Sequence, residues 1–323
     1  MGKLVDNRTG KKVAIIGAGA VGATAAFSLA MTGTCHRILL YDIVPEIAIG
    51  KAIDIAQATN FSPRGTIIEA AIKPQDIKDC DVVVITAGVP RRAEMTRADL
   101  LNINAGIIKE VSGHIKEYSP NAIILCVSNP LDVMTYVVHK VTGWDRNRII
   151  GMGGALDSSR MAYQVRQKTN FGAGQVRAIV IGDHGEKMIP YPEISNIGGI
   201  PLSKILSKED LADIADKTKN GGAEIVKYLK TSAYYAPGRS ISIMVEAILS
   251  DEERVIPSSV LLDGEYGYSD VTVGVPAVIG ANGVEKIIEL EFDDDMKEKF
   301  DAAVKNIEVN INILKDDGFF DNL

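Results

Sequence analysis

The segment VAIIGAGAVGATAA, residues 13–26, decides the fold of this 323-residue chain. Its first four residues are apolar and suit a buried β-strand, and its last residues are small and suit a closely packed helix. Between them lies a G-x-G-x-x-G motif, in which Gly17 permits the tight turn, Gly19 lets a pyrophosphate approach the backbone and Gly22 lets the helix pack on the strand. The segment therefore predicts a dinucleotide-binding strand, turn and helix.

An acidic residue, Asp42, ends the next apolar run, 20 residues after Gly22. At this position a carboxylate accepts hydrogen bonds from the ribose hydroxyls in the adenosine half of NAD. The same charge would repel a 2′-phosphate, and residues 43–46 contain no arginine to receive one, so the sequence favours NAD over NADP. A simpler alternative is that Asp42 caps the following helix.

From residue 11 to about residue 150, short β-branched runs alternate with stretches of helical period, which is typical of βαβ units around a parallel sheet. Strands are predicted near residues 13–16, 37–41, 66–69, 82–86, 122–127 and 148–150. Residues 100–118 keep the apolar spacing of a helix, and Thr96 with Asp99 forms a capping pattern before it.

After Gly151 the pattern changes to a mixture of strands and helices. Helices are predicted over residues 155–168, 207–229 and 295–314, with a break in the second at Gly221 and Gly222, and strands near 176–181, 254–262 and 269–278. The predicted fold class is α/β: a Rossmann-type doubly wound parallel sheet in residues 1–151, followed by a mixed α+β substrate domain in residues 152–323.

The charge distribution argues against polyanionic partners. The chain has 35 basic and 42 acidic residues. From Glu285 to the end there are 12 acidic and 5 basic residues, so the imbalance of 7 lies entirely in this tail and the body is neutral. A neutral body with an acidic tail offers no surface for nucleic acid or for an anionic membrane.

Cysteine usage indicates a reducing compartment. Cys35, Cys80 and Cys126 are odd in number and lack C-x-x-C spacing, which argues against a disulfide framework and a thiolate metal site. H-x-x-H and H-E-x-x-H motifs are also missing from the sequence, so no metal site is expected. Without an apolar leader or a run of 18 apolar residues, the chain is predicted to be soluble and cytoplasmic.

Among the four histidines, His184 stands out because it lies in GDHGE, residues 182–186, just after a buried strand. A histidine that transfers protons usually has its second ring nitrogen held by a carboxylate, and Asp157 is a candidate for that partner. The alternative for Asp157 is a surface ion pair with Arg160, three residues further along a predicted helix. Residues 88–97 carry three arginines and suit anion capture, although a solvated charged loop would look similar.

Six motifs in order resemble the lactate/malate dehydrogenase family and span most of the chain. The resemblance implies that His184 accepts the proton of the substrate hydroxyl and that Asp157 orients His184. It also implies that Arg160 holds the C1 carboxylate and that Arg97, on a closing loop, polarises the carbonyl. Asn129 would bond the substrate oxygen, and Asn104, Val127 and Asn129 would contact the cofactor, NAD. The motifs are GAGAVG at 17–22, YD at 41–42, AGVPRRAEMTR at 87–97, VSNPLD at 127–132, LDSSR at 156–160 and GDHGE at 182–186.

Substrate choice within this family depends on the position six residues before the loop arginine. Lactate dehydrogenases resemble one another in carrying Gln there and malate dehydrogenases in carrying Arg; this chain has Arg91. A guanidinium pairs with the second carboxylate of oxaloacetate but would face a methyl group in pyruvate. Ala233, where lactate enzymes usually carry Thr, favours the same choice. Arg92 becomes the specificity residue if the loop is shifted by one position.

The resemblance therefore implies reversible, NAD-dependent oxidation of (S)-malate to oxaloacetate by a homodimer or homotetramer, with subunit pairing near residues 49–60. Two alternatives stay open: a dehydrogenase for lactate or another 2-hydroxy acid, and a non-catalytic protein that kept the fold. The loop reads Arg-Ala-Glu-Met where many malate enzymes have Lys-Pro-Gly-Met, which leaves its closing kinetics open.

Overall fold

The structure, a computed structural model, describes residues 10–60, 65–90 and 95–321. Its first half contains a parallel sheet in the strand order β3-β2-β1-β4-β5-β6, in which each neighbouring pair is parallel. These elements agree with the predicted strands to within two residues at either end. The strands are β1 Lys12–Ile16, β2 Arg37–Tyr41, β3 Ile67–Ala71, β4 Val82–Ile85, β5 Ile123–Cys126 and β6 Ile149–Gly151.

Helices cover this sheet on both faces, which is why every residue of the continuous apolar runs in β4 and β5 is buried. The predicted cap at Thr96 is confirmed: its Oγ1 atom accepts from the N–H of Asp99 at 3.0 Å, and the Asp99 carboxylate accepts from the N–H of Thr96 at 3.0 Å. The helices are α1 Ala20–Thr32, α2 Pro45–Thr59, α3 Arg97–Tyr118, α4 Leu131–Thr142, α5 Gly153–Thr169, α6 Lys208–Leu229, α7 Tyr235–Leu249 and α8 Asp294–Asp316.

The sheet continues beyond β6 into the second half of the chain. Ser259 of one long strand pairs antiparallel with Gly151 of β6, and further strands add to that edge. The predicted strand at 176–181 is in fact two short strands that belong to different sheets. The strands of the second half are β7 Val176–Arg177, β8 Val180–Gly182, β9 Met188–Pro190, β10 Asn196–Ile197, β11 Ile200–Pro201, β12 Arg254–Asp263, β13 Ser269–Gly280 and β14 Gly283–Ile287. The main sheet runs β6-β12-β13-β8-β9 with β14 on β13, and β7, β10 and β11 pair separately.

The predicted break at Gly221 and Gly222 is wrong. Helix α6 runs without interruption for 22 residues, and the Ser207 hydroxyl caps it by accepting from the N–H of Asp210 at 3.1 Å. A glycine costs a helix about 1 kcal/mol relative to alanine. Packing of α6 against α5, together with its cap, outweighs this local preference.

The sheet topology fixes where a ligand can bind. The strand order reverses between β1 and β4, and both strands end at the same edge of the sheet. In open α/β sheets, ligands bind outside the carboxyl ends of the strands at such a switch point. Of the residues that the sequence singled out, the glycines, Asp42, Val127, Asn129 and His184 follow the ends of β1, β2, β5 and β8. Arg97 and Asn104 lie on α3, and Asp157 and Arg160 lie on α5.

Candidate active site

The glycine-rich turn joins β1 to α1, and each of its glycines meets a different requirement. Gly17 has a φ of +106°, a conformation that favours glycine. A Cβ atom at Gly22 would lie 2.0 Å from the carbonyl oxygen of Gly17, so a side chain does not fit there. A Cβ atom at Gly19 would meet no heavy atom of the described residues within 4 Å. Gly19 therefore faces open space at the N-terminus of α1, where the helix dipole favours an anion.

Asp42 connects this turn to the one that follows β2. Its Oδ2 atom accepts a hydrogen bond from the N–H of Ala18 at 2.9 Å, and its Oδ1 atom accepts from the N–H of Val44 at 3.0 Å. The N-cap residue of α2 is Val44, so Asp42 precedes the helix and does not occupy the cap position. Its carboxylate lies beside the glycine turn, as the motif predicts for a ribose-binding acid.

Asn104 forms hydrogen bonds to two loops, one that follows β4 and one that follows β5. It is buried on α3, where its Oδ1 atom accepts from the N–H of Val89 at 2.9 Å and its Nδ2 atom donates to the carbonyl of Asn129 at 2.8 Å. Val127 follows β5 and is also buried, whereas Asn129 is exposed at the same edge. The structure therefore brings these three predicted residues together, with Asn104 in a role that shapes the loops.

The contact between His184 and Asp157 is central to the site. The Nδ1 atom of His184, in the loop after β8, lies 2.6 Å from the Oδ2 atom of Asp157 on α5. Because a carboxylate only accepts, Nδ1 carries the proton of this bond, and Nε2 is the ring atom that can exchange a proton with a substrate. Burial lowers the pKa of His184, but the charge and hydrogen bond of Asp157 outweigh it and the net direction is upward.

Arg160 binds the other oxygen of the same carboxylate. Its Nη1 atom lies 2.9 Å from the Oδ1 atom of Asp157, so the ion pair considered from the sequence exists. It is not a surface pair, because the side chain of Asp157 is 2% exposed and that of Arg160 is 18% exposed. The Nε atom of Arg160 is buried without a hydrogen-bond partner among the described residues. Arg160 therefore has donor capacity left for an anionic group.

Gly221 and Gly222 of α6 lie against the side chain of Arg160. A Cβ atom at Gly222 would lie 3.5 Å from the Nη2 atom of Arg160, and one at Gly221 would lie 3.6 Å from its Cδ atom. These distances are ordinary contacts, so larger side chains at either position would press on the guanidinium. The glycines inside α6 thus leave room for Arg160.

Two further carboxylates lie near His184, and the sequence reasoning missed them. The Oδ2 atom of Asp132, at the start of α4, accepts from the backbone N–H of His184 at 2.8 Å, and the Oδ2 atom of Asp183 accepts from Asn306 on α8 at 2.6 Å. Burial raises the pKa of Asp132 to about 6 and also raises that of Asp183. The available signal for Asp132 was the VSNPLD segment, which places an acid soon after a buried strand.

A cavity of about 290 Å³ opens beside these groups. Its lining includes His184 from the loop after β8, Asp132 from α4, Arg97 from α3 and Asn306 from α8. Titratable, cationic and amide side chains from four parts of the chain thus meet at one opening. Such a set can hold an anion and move a proton.

Arg97 is the first residue of α3 and lies at the outer side of this cavity. Its Nη2 atom pairs with the Oε1 atom of Glu186 at 2.7 Å, and both side chains are 75% exposed. This partner of Arg97 was not predicted from the sequence. An exposed ion pair contributes at most about 1 kcal/mol, so a substrate carboxylate can compete for Arg97. Arg91 and Arg92 lie outside the described residues.

The described residues contain neither a metal-binding cluster nor a membrane-spanning helix. Within residues 10–60, 65–90 and 95–321, no group of three or more His, Cys, Asp or Glu side chains is arranged to hold a metal ion. No helix in that part of the chain is both long and apolar enough to cross a membrane. The three cysteines are free and buried.

Family models match nearly the whole chain. Residues 11–151 match the lactate/malate dehydrogenase NAD binding domain, and residues 154–317 match the lactate/malate dehydrogenase alpha/beta C-terminal domain. The chain therefore belongs to the lactate/malate dehydrogenase family.

Individual relatives are similar over almost their full length. A malate dehydrogenase from Sulfurimonas denitrificans is 50% identical over 97% of this chain and 98% of its own. The structure of apo malate dehydrogenase from Picrophilus torridus superposes with a TM-score of 0.92 at 42% identity, covering 98% of this chain and 100% of that one. Lactate dehydrogenase from Cryptosporidium parvum, solved with lactic acid and nicotinamide adenine dinucleotide, gives a TM-score of 0.90 at 34% identity and covers 98% and 99% of the two chains.

Proposed function

We propose that this chain is an NAD-dependent malate dehydrogenase that interconverts (S)-malate and oxaloacetate. The observation that carries the proposal is the Asp157 carboxylate, which holds His184 at one oxygen and Arg160 at the other. A proton acceptor and an anion-binding group are thereby fixed side by side. The malate dehydrogenases at 50% and 42% identity, which match nearly the full chain, support malate as the substrate.

The glycine turn and Asp42 fit NAD as the cofactor. Open space in front of Gly19 leaves room for a pyrophosphate at the start of α1, and Gly17 and Gly22 give the turn its shape. Asp42 would bind the adenosine ribose, and the loops that Asn104 holds would border the nicotinamide, with Val127 and Asn129 among their residues. When bound, NAD supplies the acceptor for the hydride that leaves C2 of the substrate.

Proton transfer and substrate binding are assigned to different side chains of the site. In malate oxidation the Nε2 atom of His184 accepts the proton of the C2 hydroxyl, and Asp157 stabilises the resulting imidazolium. In oxaloacetate reduction the same atom returns a proton to the forming hydroxyl. The other residues bind and orient the substrate: Arg160 the C1 carboxylate, Arg97 and Asn129 the oxygen at C2, and Arg91 the second carboxylate.

A lactate dehydrogenase is the second candidate. The Cryptosporidium parvum lactate dehydrogenase has nearly the same fold, so the backbone does not separate the two activities. Arg91 decides between them in this proposal, because an arginine that faces the methyl group of pyruvate is left without its partner. Ala233 supports the same choice.

The assembly is proposed to be a homodimer or homotetramer. Helices α1 and α2 expose large apolar side chains, including Phe27 at 42%, Met31 at 46% and Ile53 at 40%. A contiguous exposed apolar patch marks an interaction site in many proteins, and we propose that these side chains contribute to one. Light scattering coupled to size-exclusion chromatography would give a single-subunit mass if this part of the proposal is wrong.

Two broader expectations belong to the same proposal. The division into a nucleotide-binding domain, residues 1–151, and a substrate domain, residues 152–323, places the dinucleotide and the proton-transfer group in different halves. A cytoplasmic location agrees with three cysteines that are all free and buried.

The deciding experiment measures NADH oxidation by the purified protein with oxaloacetate and with pyruvate at matched concentrations. Strong preference for oxaloacetate is expected. Preference for pyruvate would replace the substrate assignment and keep the mechanism, and the absence of turnover with both would favour a non-catalytic protein. The His184→Ala variant is expected to lose most turnover while it still binds NADH, and unchanged turnover would contradict the proton-transfer role.

A further inference from the structure

Asp132 holds the backbone of His184 from the other half of the chain. The two residues are 52 positions apart, and the Oδ2 atom of Asp132 accepts from the N–H of His184 at 2.8 Å. Asp132 is 6% exposed. A buried carboxylate is unfavourable unless hydrogen bonds compensate it. Here one of those bonds goes to the residue assigned to proton transfer.

The backbone of Asp132 is itself held in place. Its carbonyl accepts a hydrogen bond from the hydroxyl of Thr272 at 2.6 Å, and Thr272 is fully buried on β13. Asp132 also lies in the first turn of α4, whose packing orients it. The carboxylate therefore has a fixed position from which to hold the loop after β8.

We infer that Asp132 is a positioning residue for His184, which fixes the loop that carries the imidazole and places a second buried negative charge near it. The inference rests on the proposed function, because it assigns Asp132 a part in the proton transfer by His184. The first negative charge is Asp157, which contacts the ring directly. Asp132 instead accepts from the backbone N–H of the same histidine.

Several charged groups face His184, and their balance sets its proton affinity. Burial lowers the pKa of His184, the charges of Asp157 and Asp132 raise it, and the charge of Arg160 lowers it. Asp132 is thus one of two carboxylates that act on this imidazole from outside its own loop. The groups on the surrounding elements are Asp132 on α4, Asp157 and Arg160 on α5, Arg97 on α3, and Asp183 and Glu186 on the loop of His184 itself.

Replacement of Asp132 by asparagine separates charge from geometry. The amide oxygen of the Asp132→Asn variant can still accept from the N–H of His184, but the negative charge is gone. The pKa of His184 should therefore fall. Malate oxidation needs the neutral imidazole, so the acidic limb of its pH–rate profile should shift to lower pH. Oxaloacetate reduction needs the imidazolium, so its alkaline limb should shift in the same direction.

The test is an NMR titration of the His184 imidazole in the NAD-free protein labelled at histidine. The four histidines make the signals few, and the His184→Gln variant assigns the one of interest. The expected result is a lower pKa in Asp132→Asn than in the unsubstituted protein. Asp132→Glu keeps the charge and is expected to restore the raised pKa, whereas a purely structural role would make both variants alike.

Asp270→Asn is the matched control. Asp270 also bonds to α4, through Tyr136 at 3.0 Å and Lys140 at 2.7 Å, and loses the same charge on substitution. Its φ of +59° is one that asparagine tolerates well. The pKa of His184 should not move in this variant. An equal shift in Asp270→Asn and Asp132→Asn would overturn the inference.

Failure of the inference can be distinguished from failure of the proposed function. The titration needs no turnover, so an unchanged pKa in Asp132→Asn rejects the inference even in an active malate dehydrogenase. A protein that does not oxidise malate rejects the proposed function, whatever the titration shows. Circular dichroism checks the fold of each variant. If Asp132→Asn does not fold, Asp132→Ser carries the same expected decrease, and an unchanged pKa there is equally decisive.

Discussion

The Nδ1 atom of His184 and the Oδ2 atom of Asp157 lie 2.6 Å apart, although the two residues are 27 positions apart in the chain. The second oxygen of the same carboxylate binds Arg160 at 2.9 Å. One buried acid therefore holds both His184, to which we assign proton transfer, and Arg160, to which we assign binding of the substrate carboxylate. Loss of Asp157 should affect both functions at once.

Asp157→Asn is expected to lower kcat by about 10²–10⁴-fold, because the amide no longer enforces the Nδ1–H tautomer or stabilises the imidazolium. It should also raise KM for oxaloacetate, because Arg160 loses its partner. Steady-state kinetics give both values. NADH binding, measured by fluorescence, is the control and should stay unchanged, while an unaltered kcat would argue against the role of Asp157.

The glycines of the turn should separate folding from cofactor binding. Gly22→Ala places a Cβ atom 2.0 Å from a backbone oxygen, and we expect a loss of about 3 kcal/mol or more in the free energy of unfolding. Gly19→Ala points into open space and should leave stability nearly unchanged. It should weaken NADH binding about tenfold or more, equivalent to about 1.4 kcal/mol. Urea denaturation and NADH titration of both variants check this contrast.

Asp42 should control the choice between NADH and NADPH. Asp42→Ala removes the repelling charge and the acceptor for the N–H groups of Ala18 and Val44. We expect a lower kcat/KM for NADH and a smaller preference over NADPH. Asp42→Asn is the matched variant, since it keeps an acceptor and removes only the charge. If both variants reject NADPH as strongly as the unsubstituted protein, charge repulsion is not the cause of selectivity.

Arg91 and Arg92 provide a matched pair for substrate choice. Arg91→Gln should reduce the preference for oxaloacetate over pyruvate by about 10²–10⁴-fold, because the second carboxylate loses its partner. Arg92→Gln should change it by no more than about 3-fold, because the proposal gives Arg92 no contact with the substrate and a charge that makes no such contact contributes little. Comparison of kcat/KM for the two substrates decides the matter. The reverse pattern would transfer the specificity role to Arg92.

His139 should make the fold sensitive to acid. It is 5% exposed on α4, and its Nε2 atom has no hydrogen-bond partner among the described residues. Burial, with smaller contributions from the charges of Lys140 and Arg146, lowers its pKa from 6.5 to about 3. Between these values the unfolded chain binds a proton that the folded chain does not, so stability falls as pH decreases through 6.5 toward 3.

This loss should reach on the order of 3 kcal/mol by pH 4. His139→Leu is expected to remove it, so that the difference in unfolding free energy between pH 7 and pH 4 becomes smaller. Urea denaturation at the two pH values measures the effect. His114→Gln, which replaces a half-buried histidine on α3, is the control variant. A response of His139→Leu equal to that of the control would contradict the prediction.

Local sequence patterns predicted the elements whose signals lie within a few neighbouring residues. The apolar runs gave the parallel strands to within two residues, because strands buried on both faces need continuous apolar sequence. Thr96 and Asp99 marked the start of α3 because a capping box is closed by residues three positions apart. Gly17, Gly19 and Gly22 predicted the turn because they lie within six consecutive residues, so that the motif is a local signal as well.

Features that depend on distant contacts were not predictable from such patterns. The contact of Asp132 with His184 spans 52 residues, and the pair of Arg97 and Glu186 spans 89 residues. Neither contact leaves a periodic signal in the sequence, although the VSNPLD segment marks Asp132 itself as an acid soon after a buried strand. The helix break predicted at Gly221 was wrong because packing of α6 against another part of the chain outweighed the low helix propensity of glycine. The family motifs identified candidate residues, but the contacts between their atoms were seen only in the structure.

Gly151 ends the parallel half of the sheet and belongs to both halves of the molecule. It pairs with Cys126 on one side and with Ser259 on the other, and a Cβ atom there would lie 2.7 Å from the Cβ atom of Ser259. A chimera that joins the first half of one relative to the second half of another must preserve this close packing. The first half of the chain is therefore packed directly against the second at this glycine, and we expect complementarity between Gly151 and Ser259 to constrain recombination within the family.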